Sequence, residues 1–219
     1  GLLSARAQYS NVPITPTSFN ADVIADGTAG TTPAATTTTG ADSSSPAYVF
    51  VAATFGLGTT TCATAATAWP ASLNITSTNT TTNTGITYTL QSPGTGTGTN
   101  NNALVLPYNT SGTLTLVTPI SAARLYIVAM GGSGATNYTA VVNFSDATSQ
   151  TITTGTQAPD WCSGAATYRL TAQSYYRITR TATTCNGATC QYLYELPINI
   201  APENYYKTIT SVTLTNTTN

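Results

Sequence analysis

The sequence predicts an all-β protein, a single antiparallel β-sandwich of the jelly-roll type with long Thr/Gly/Ala-rich loops. Short runs of apolar and β-branched residues recur along the chain, several of them alternating with polar residues at period two. Gly-rich turns separate these runs, and no window carries the 3.6-residue period of an amphipathic helix. A length of 219 residues suits one large β-domain of this kind.

The strands are expected in order along the chain, at residues 48–55, 86–90, 112–117, 124–130, 138–144, 150–153, 175–180, 191–200 and 207–215. Three stretches have little to bury and predict surface loops, at residues 28–46, 58–68 and 92–102. The run at 124–130 is apolar at successive positions, which is typical of a central strand buried on both faces. Because no repeat or linker divides the chain, we expect an extended arm at residues 1–14 and one sandwich domain at 15–219.

Charged side chains are scarce, at 6% of residues, with 6 Lys+Arg against 7 Asp+Glu. So weak a field offers no footprint for a phosphate backbone, so nucleic acid is not an expected partner. No apolar stretch approaches the length of a membrane span, so membrane insertion is not expected either. A surface with little charge also lacks the self-repulsion that keeps proteins apart, which favours self-association.

Four cysteines, Cys62, Cys162, Cys185 and Cys190, allow three disulfide pairings. An Asn-Gly turn signal at residues 186–187 lies between Cys185 and Cys190, which predicts that these two thiols face each other across a hairpin end. We therefore predict the disulfides Cys185–Cys190 and Cys62–Cys162, with four free buried thiols as the alternative. A zinc site is disfavoured because the chain has no His and no paired CxxC.

Disulfides form and persist in oxidising compartments. The first residues also fit export, since Ala5-Arg6-Ala7 resembles an A-x-A signal-peptide cleavage site. We expect a protein that is secreted or associated with the cell surface.

Short segments throughout the chain resemble the secreted galactose-binding-like jelly-roll domains of Bacteroidetes-type bacteria, at residues 9–14, 18–27, 102–106, 111–116, 123–134, 141–146, 160–161 and 207–214. The resemblance implies an adhesive or carbohydrate-binding module, and it transfers no catalytic residue. Domains of this kind continue into one more apolar strand, whereas this sequence stops at Asn219. A sheet that lacks its last strand is therefore an expectation.

The absence of His removes the Ser-His-Asp and Cys-His arrangements. Paired-carboxylate chemistry, as in glycoside hydrolysis, remains as a catalytic alternative. None of the carboxylates sits in a recognisable motif; they are Asp22, Asp26, Asp42, Asp146, Asp160, Glu195 and Glu203. We expect no enzymatic activity and no catalytic residue.

Asp22 and Asp26 are the one weak candidate for a metal site. With Asn20 nearby and Gly27 allowing a sharp turn, their oxygens could hold a structural Ca²⁺ ion. The competing interpretation, which we favour, is turn chemistry in which these side chains bind local backbone N–H groups. No other cofactor is expected.

Two kinds of surface chemistry are open to the sequence. Aromatic rings stack on sugars, and Trp69, Trp161 and Tyr176 are the candidates, with packing in the core as the alternative for each Trp. Six Asn-x-Ser/Thr sequons predict glycosylation wherever the source organism provides it, at Asn74, Asn79, Asn109, Asn137, Asn143 and Asn216.

Two functions follow from these expectations. The first is a structural subunit that self-assembles into a pilus-like extracellular filament, each copy donating its amino-terminal arm as a strand to the next. Within that arm Leu3, Ala5, Ala7 and Tyr9 lie two apart and share one face of a strand. The second function is carbohydrate binding. In the competing account of the arm, residues 1–7 are a remnant of a signal peptide.

Overall fold

The structure is a computed structural model, and it describes residues 9–27, 31–42, 44–79, 85–94, 100–153, 156–164 and 167–218. One short helix, α1 (Pro33–Thr36), and two single 3₁₀ turns, Pro16–Ser18 and Pro202–Asn204, are the helical elements of this part of the chain. The remaining elements are strands: β1 (Ile24–Ala25), β2 (Tyr48–Val51), β3 (Gly56–Leu57), β4 (Thr60–Thr61), β5 (Asn74–Thr76), β6 (Thr87–Thr89), β7 (Ser111–Ile120), β8 (Arg124–Ala129), β9 (Thr136–Phe144), β10 (Ser149–Ile152), β11 (Gln157–Ala158), β12 (Tyr175–Thr179), β13 (Ala188–Gln191), β14 (Tyr194–Asn199) and β15 (Ile209–Asn216).

The predicted all-β class is confirmed. The strands form several sheets: β1-β2-β12-β13, β10-β9-β15-β7 with β11 also on β9, and the pairs β14-β8, β3-β4 and β5-β6. The pairing is antiparallel except between β1 and β2, which run parallel, so the expectation of a wholly antiparallel fold is wrong at that pair.

The largest core cluster lies between the β10-β9-β15-β7 sheet and the β14-β8 pair. Alternate residues of β9, from Tyr138 to Phe144, are buried while their neighbours are only partly covered, which is the pattern of a strand with one face on the core. Val212 and Leu214 of β15 and the β14 side chains at residues 194, 196 and 198 complete the cluster.

A second cluster is built around Phe50 of β2, whose ring contacts three other aromatic rings. The ring centroids of Trp69, Trp161 and Tyr175 lie 5.0, 5.5 and 6.1 Å from that of Phe50. Tilted and edge-to-face pairs of this kind contribute attraction beyond the burial of their area. These aromatic residues therefore form the interior of the molecule on the side of β2 and β12.

Strands occur at each of the predicted positions, although β2 is shorter than expected and residues 191–200 divide between β13 and β14. The loop expected at 28–46 is not wholly superficial, because it contains α1 and buries Thr36 and Thr37. Both threonine hydroxyls donate hydrogen bonds to the Pro33 carbonyl oxygen, which satisfies them inside the protein.

The predicted disulfide pairing is wrong. The bonds are Cys62–Cys185 and Cys162–Cys190, with Cα–Cα distances of 4.9 and 4.8 Å. Cys190 lies inside β13, whose hairpin partner is β12, so the hairpin does not place Cys185 opposite Cys190. The Asn-Gly signal lies in the connection between the two strands, where Cys185 reaches the loop at Cys62.

Two disulfides indicate an oxidising environment, in keeping with the extracellular expectation. In the described part of the chain, no helix has the length and apolarity needed to cross a membrane.

Candidate functional site

A large cleft of about 1370 Å³ opens beside β8, and its lining is mostly apolar. β8 forms one wall of the cleft, and residues 103–106 also line it and are called its second wall. Leu114 and Leu116 of β7 and Val212 of β15 also line it, so the cleft exposes part of the principal core cluster.

The exposure of β8 differs from that of its partner β14, although the two strands share one face. Tyr194, Leu196 and Ile198 of β14 are each at most 2% exposed. Their cross-strand partners, Ala129, Ile127 and Leu125, pack on the same cluster but are only half-buried. The core is therefore covered over β14 and incompletely covered over β8.

The prediction of a central strand at 124–130 is wrong, because β8 has a hydrogen-bonded neighbour on one side only. Apart from β14, no residue in the described ranges forms a backbone hydrogen bond with β8. We call the unpaired side the open edge of β8. The continuous apolar run arises because both faces of the strand pack on clusters, and sequence alone does not reveal whether an edge is occupied.

The ladder shows which main-chain groups point to the open edge. The Glu195 N–H donates to the Tyr168 carbonyl, away from β8, and Pro197 has no N–H. Since hydrogen-bonded and non-hydrogen-bonded pairs alternate in an antiparallel ladder, the partners of Glu195 and Pro197 must direct their own groups outward. The N–H and C=O groups of Arg124, Tyr126 and Val128 therefore lie on the open edge.

Polar side chains hold the second wall, residues 103–106, in place. The amide of Asn20 donates to the Val105 carbonyl and accepts from the Val105 N–H, as a neighbouring peptide group would. Ala21 and Ala103 form an antiparallel bridge next to it. Gly112 of β7 lets this wall approach, since a Cβ there would lie 2.6 Å from a methyl carbon of Leu104.

Asp22 fastens the same wall and is fully buried. Its carboxyl oxygens accept hydrogen bonds from the Asn102 side chain and from the backbone N–H groups of Ile24 and Asn100. Burial raises the pKa of Asp22 to about 6, against 3.8 for a solvated carboxyl, and the charge of Asp26 acts in the same direction. The three accepted hydrogen bonds oppose the shift without cancelling it.

Glu195 fixes the β5-β6 hairpin against β14. This glutamate is fully buried, and its two carboxyl oxygens accept hydrogen bonds from the Ser77 hydroxyl at 3.0 Å and the Tyr88 hydroxyl at 2.9 Å. Burial and the neighbouring Glu195 charge raise the pKa of Tyr88, so this hydroxyl stays a donor. The hairpin thereby lies over the outer face of the β14-β8 pair.

Two buried polar atoms of the cleft lining have no hydrogen-bond partner among the described residues, Nε1 of Trp69 and Oη of Tyr138. Burial raises the pKa of Tyr138 to about 12. Unpaired buried donors are uncommon in folded proteins. The packing beside the cleft therefore leaves two buried donors without an acceptor in the described part of the chain.

The arm predicted at 1–14 is not free over its whole length. Residues 1–8, which include Leu3, Ala5 and Ala7, lie outside the described residues, but residues 9–14 pack on their own domain. The Tyr9 ring lies 6.2 Å from that of Tyr126, and Ile14 forms an antiparallel bridge with Leu116. These contacts join residues 9–14 to the domain, whereas the predicted boundary at residue 14 and the part of Tyr9 in a donated strand stay predictions.

The residues proposed for sugar binding do not form an exposed platform. Trp161 and Trp69 are only 2% and 9% exposed because both pack on Phe50, so the core alternative is correct for them. Tyr176 is half-buried, and its hydroxyl accepts a hydrogen bond from the Gly187 N–H across the hairpin.

Several of the carboxylates accept hydrogen bonds within their own turns. Asp42, Asp146 and Asp160 accept hydrogen bonds from nearby backbone N–H groups. Asp146 also pairs with Lys207, at 3.3 Å. In the described ranges no three potential ligands of the His, Cys, Asp or Glu type gather as a metal centre would need, so the calcium hypothesis for Asp22 and Asp26 gains no support.

The sequons differ in accessibility. Asn74, Asn109 and Asn137 are exposed. Asn79 is 7% exposed, which contradicts its assignment as a glycosylation site, because a glycan needs an accessible amide. Asn143 and Asn216 are half-buried and already donate their side-chain N–H groups, to Ser211 and to the Leu106 carbonyl.

No protein-family model matches the chain, and neither a curated protein nor a solved structure shows significant similarity to it. The resemblance to galactose-binding-like jelly rolls thus stays a prediction, and arguments about function depend on the cleft itself.

Proposed function

We propose that this protein is a non-enzymatic, extracellular structural subunit that assembles with copies of itself by accepting a β-strand into the cleft beside β8. The observation that carries the proposal is the combination of an open strand edge with a half-exposed apolar core. Each of these features alone is a hazard for aggregation, and an added strand satisfies both.

The chemistry of the cleft fits an extended chain. A strand supplies backbone groups along one edge and side chains at alternate positions, so it pairs with β8 while it covers Leu125 and Ile127.

The donor that we propose is residues 1–8 of a second copy. Tyr9 is 51% exposed and lines the cleft, so residues 1–8 are joined to the domain at an exposed residue beside the cleft. In an extended conformation, Leu3, Ala5 and Ala7 face one way and Arg6 and Gln8 the other. Because the arm of one copy enters the cleft of another, the contact is head-to-tail, and it builds an open filament when each copy gives its arm to a different partner.

Deletion of residues 1–8 tests this function. The full chain should form filaments in negative-stain micrographs at high concentration, and the truncated chain should stay monomeric while it keeps its melting temperature. A full chain that is monomeric at every concentration, or a truncated chain that still forms filaments, contradicts the proposal.

Two neighbouring leucines provide a matched pair of variants. In the proposed extended strand, Leu3 would belong to the set that faces the cleft, whereas Leu2 would face the other way. We expect Leu3→Asp to abolish assembly, because it places a charge in an apolar cleft, and Leu2→Asp to leave assembly largely intact. Equal effects would mean that the arm does not enter as an alternating strand.

Glycan binding is the second candidate, and one surface patch favours it. Exposed Tyr9 lies against Tyr126, and the guanidinium of Arg124 lies 5.8 Å from the Tyr126 ring centroid and binds the side chain of Asn199. Aromatic rings next to Arg and Asn donors suit a saccharide. A glycan array on the truncated chain checks this function, and binding should disappear in Tyr126→Ala.

A further inference from the structure

We propose that the open edge of β8 is the acceptor and that the donated strand runs antiparallel to it, bound through the main-chain groups of Arg124, Tyr126 and Val128. This inference rests on the proposed function and names the residues and the polarity of the contact. Its basis is the direction of the β8 main chain described above.

The geometry of β8 assigns each position of the donor. The residues of β8 that direct N–H and C=O groups to the open edge carry side chains on the outer face, since Leu125, Ile127 and Ala129 face the core. In an antiparallel ladder, hydrogen-bonded residues lie directly opposite each other with their side chains on the same face. The donor residues that bind β8 therefore have outward side chains.

In the arm, odd-numbered and even-numbered residues would therefore have different roles. With Leu3, Ala5 and Ala7 directed into the cleft, the main chain of Arg6 and its even-numbered neighbours binds β8. A parallel strand reverses the assignment, because its inward-facing residues carry the groups that bind the acceptor. We assign the antiparallel direction because the β14-β8 pair and the bridge between Arg169 and Tyr194 are both antiparallel.

Variants of Tyr126, the middle one of the three acceptor residues, test whether the open edge of β8 binds the donor. Tyr126→Pro removes an N–H from the open edge but none from the ladder with β14, and Tyr126→Ala removes the same ring while it keeps the N–H. We expect Tyr126→Pro to weaken assembly by about tenfold relative to Tyr126→Ala. Arg124→Pro against Arg124→Ala repeats the comparison at an exposed position, in case Tyr126→Pro fails to fold.

Donor peptides test the polarity. The probe is a synthetic peptide of residues 1–9, added to the chain that lacks residues 1–8, with binding measured by calorimetry. N-methylation at Arg6 should weaken binding by about tenfold, and N-methylation at Ala5 should have a much smaller effect. The reverse order overturns the antiparallel assignment.

The outcomes distinguish the two proposals. If the full chain forms filaments that need residues 1–8, but proline and alanine variants at Tyr126 and Arg124 behave alike, the donated strand does not pair with β8. The further inference is then wrong, and of the proposed function only assembly through the amino-terminal arm stands. If the full chain forms no filaments and the peptide does not bind, the proposed function itself is wrong.

Discussion

Asp22 is the residue where burial and hydrogen bonding conflict most directly. Its pKa is raised to about 6 in the folded protein, against 3.8 for a solvated carboxyl. A raised pKa means that the folded state favours the protonated form, so the associated stability is fully present below pH 3.8 and is lost as the pH rises through 6. A pKa difference of this size between the folded and unfolded states corresponds to about 3 kcal/mol of stability.

We therefore expect thermal stability to fall between pH 4 and pH 7, and Asp22→Asn to flatten that part of the profile even if the variant is less stable overall. Asp146→Asn is the control, because hydrogen bonds from Thr148 lower the pKa of Asp146 and give its contribution the opposite sign. A wild-type profile that rises with pH over this interval, and is unchanged by Asp22→Asn, contradicts this account.

Tyr138 and Tyr194 form a matched pair of buried tyrosines. The Tyr194 hydroxyl donates to the Asp160 carbonyl at 3.0 Å, whereas the Tyr138 hydroxyl has no partner in the described chain. Loss of a satisfied buried hydrogen bond costs about 1 kcal/mol, and removal of an unsatisfied hydroxyl is close to neutral. In urea unfolding of the truncated chain, Tyr138→Phe should be neutral or stabilising and Tyr194→Phe destabilising. A larger loss for Tyr138→Phe would show that its hydroxyl is bonded in solution.

At the scale of elements, the two disulfides connect segments of very different separation. Cys62 and Cys185 lie 123 residues apart, and Cys162 and Cys190 lie 28 apart. Loop-closure entropy gives roughly 5 kcal/mol for the longer loop and roughly 3.5 kcal/mol for the shorter one. Replacing both cysteines of a pair by Ala should therefore destabilise the protein more at Cys62–Cys185, as measured by denaturant unfolding.

Non-reducing peptide mapping provides the direct check of this pairing. A peptide that links Cys62 to Cys185 is expected. Linkage of Cys185 to Cys190, or a larger loss of stability from the shorter loop, would show that the loop at Cys62 is not fastened to the β12-β13 connection.

The strands could be predicted from the sequence because their signal is local. Period-two alternation in β9 and β15 is visible from residue to residue, and burial follows it. The disulfide pairing could not be predicted, because the partner of Cys190 depends on how β13 meets a distant loop. The burial of Trp69 and Trp161 could not be predicted for the same reason, because the sequence does not distinguish a buried ring from one that stacks on a sugar.

The cleft could not be predicted from the sequence. The predicted missing strand follows residues 207–214, whereas β15 is paired on both sides, with β7 and β9, and the open edge lies at β8. The missing strand and the donated arm stay predictions. The position of the opening at β8 depends on the tertiary structure, since the run at 124–130 has the apolar pattern of a central strand. An apolar run indicates that both faces of a strand are buried, but it does not show which edge of the strand is hydrogen-bonded to a neighbouring strand.

For the whole molecule, the low charge predicts how assembly responds to salt. A net charge of −1 leaves little long-range repulsion to overcome, and the proposed contact consists of apolar side chains and main-chain hydrogen bonds. Raising NaCl from 0.01 to 1 M shortens the Debye length from about 30 to about 3 Å, which weakens every contact between exposed charges. The critical concentration for filaments should nevertheless change by less than about threefold, because burial of apolar area does not depend on screening.

Urea provides the contrast, because it solvates apolar and peptide groups together and should dissolve the filaments before the subunits unfold. Sedimentation across a salt series and a urea series measures both responses. Filaments that dissolve in 1 M NaCl would indicate an interface between charged surfaces. In that case the contact lies elsewhere than in the cleft, and Leu3→Asp should leave assembly unchanged.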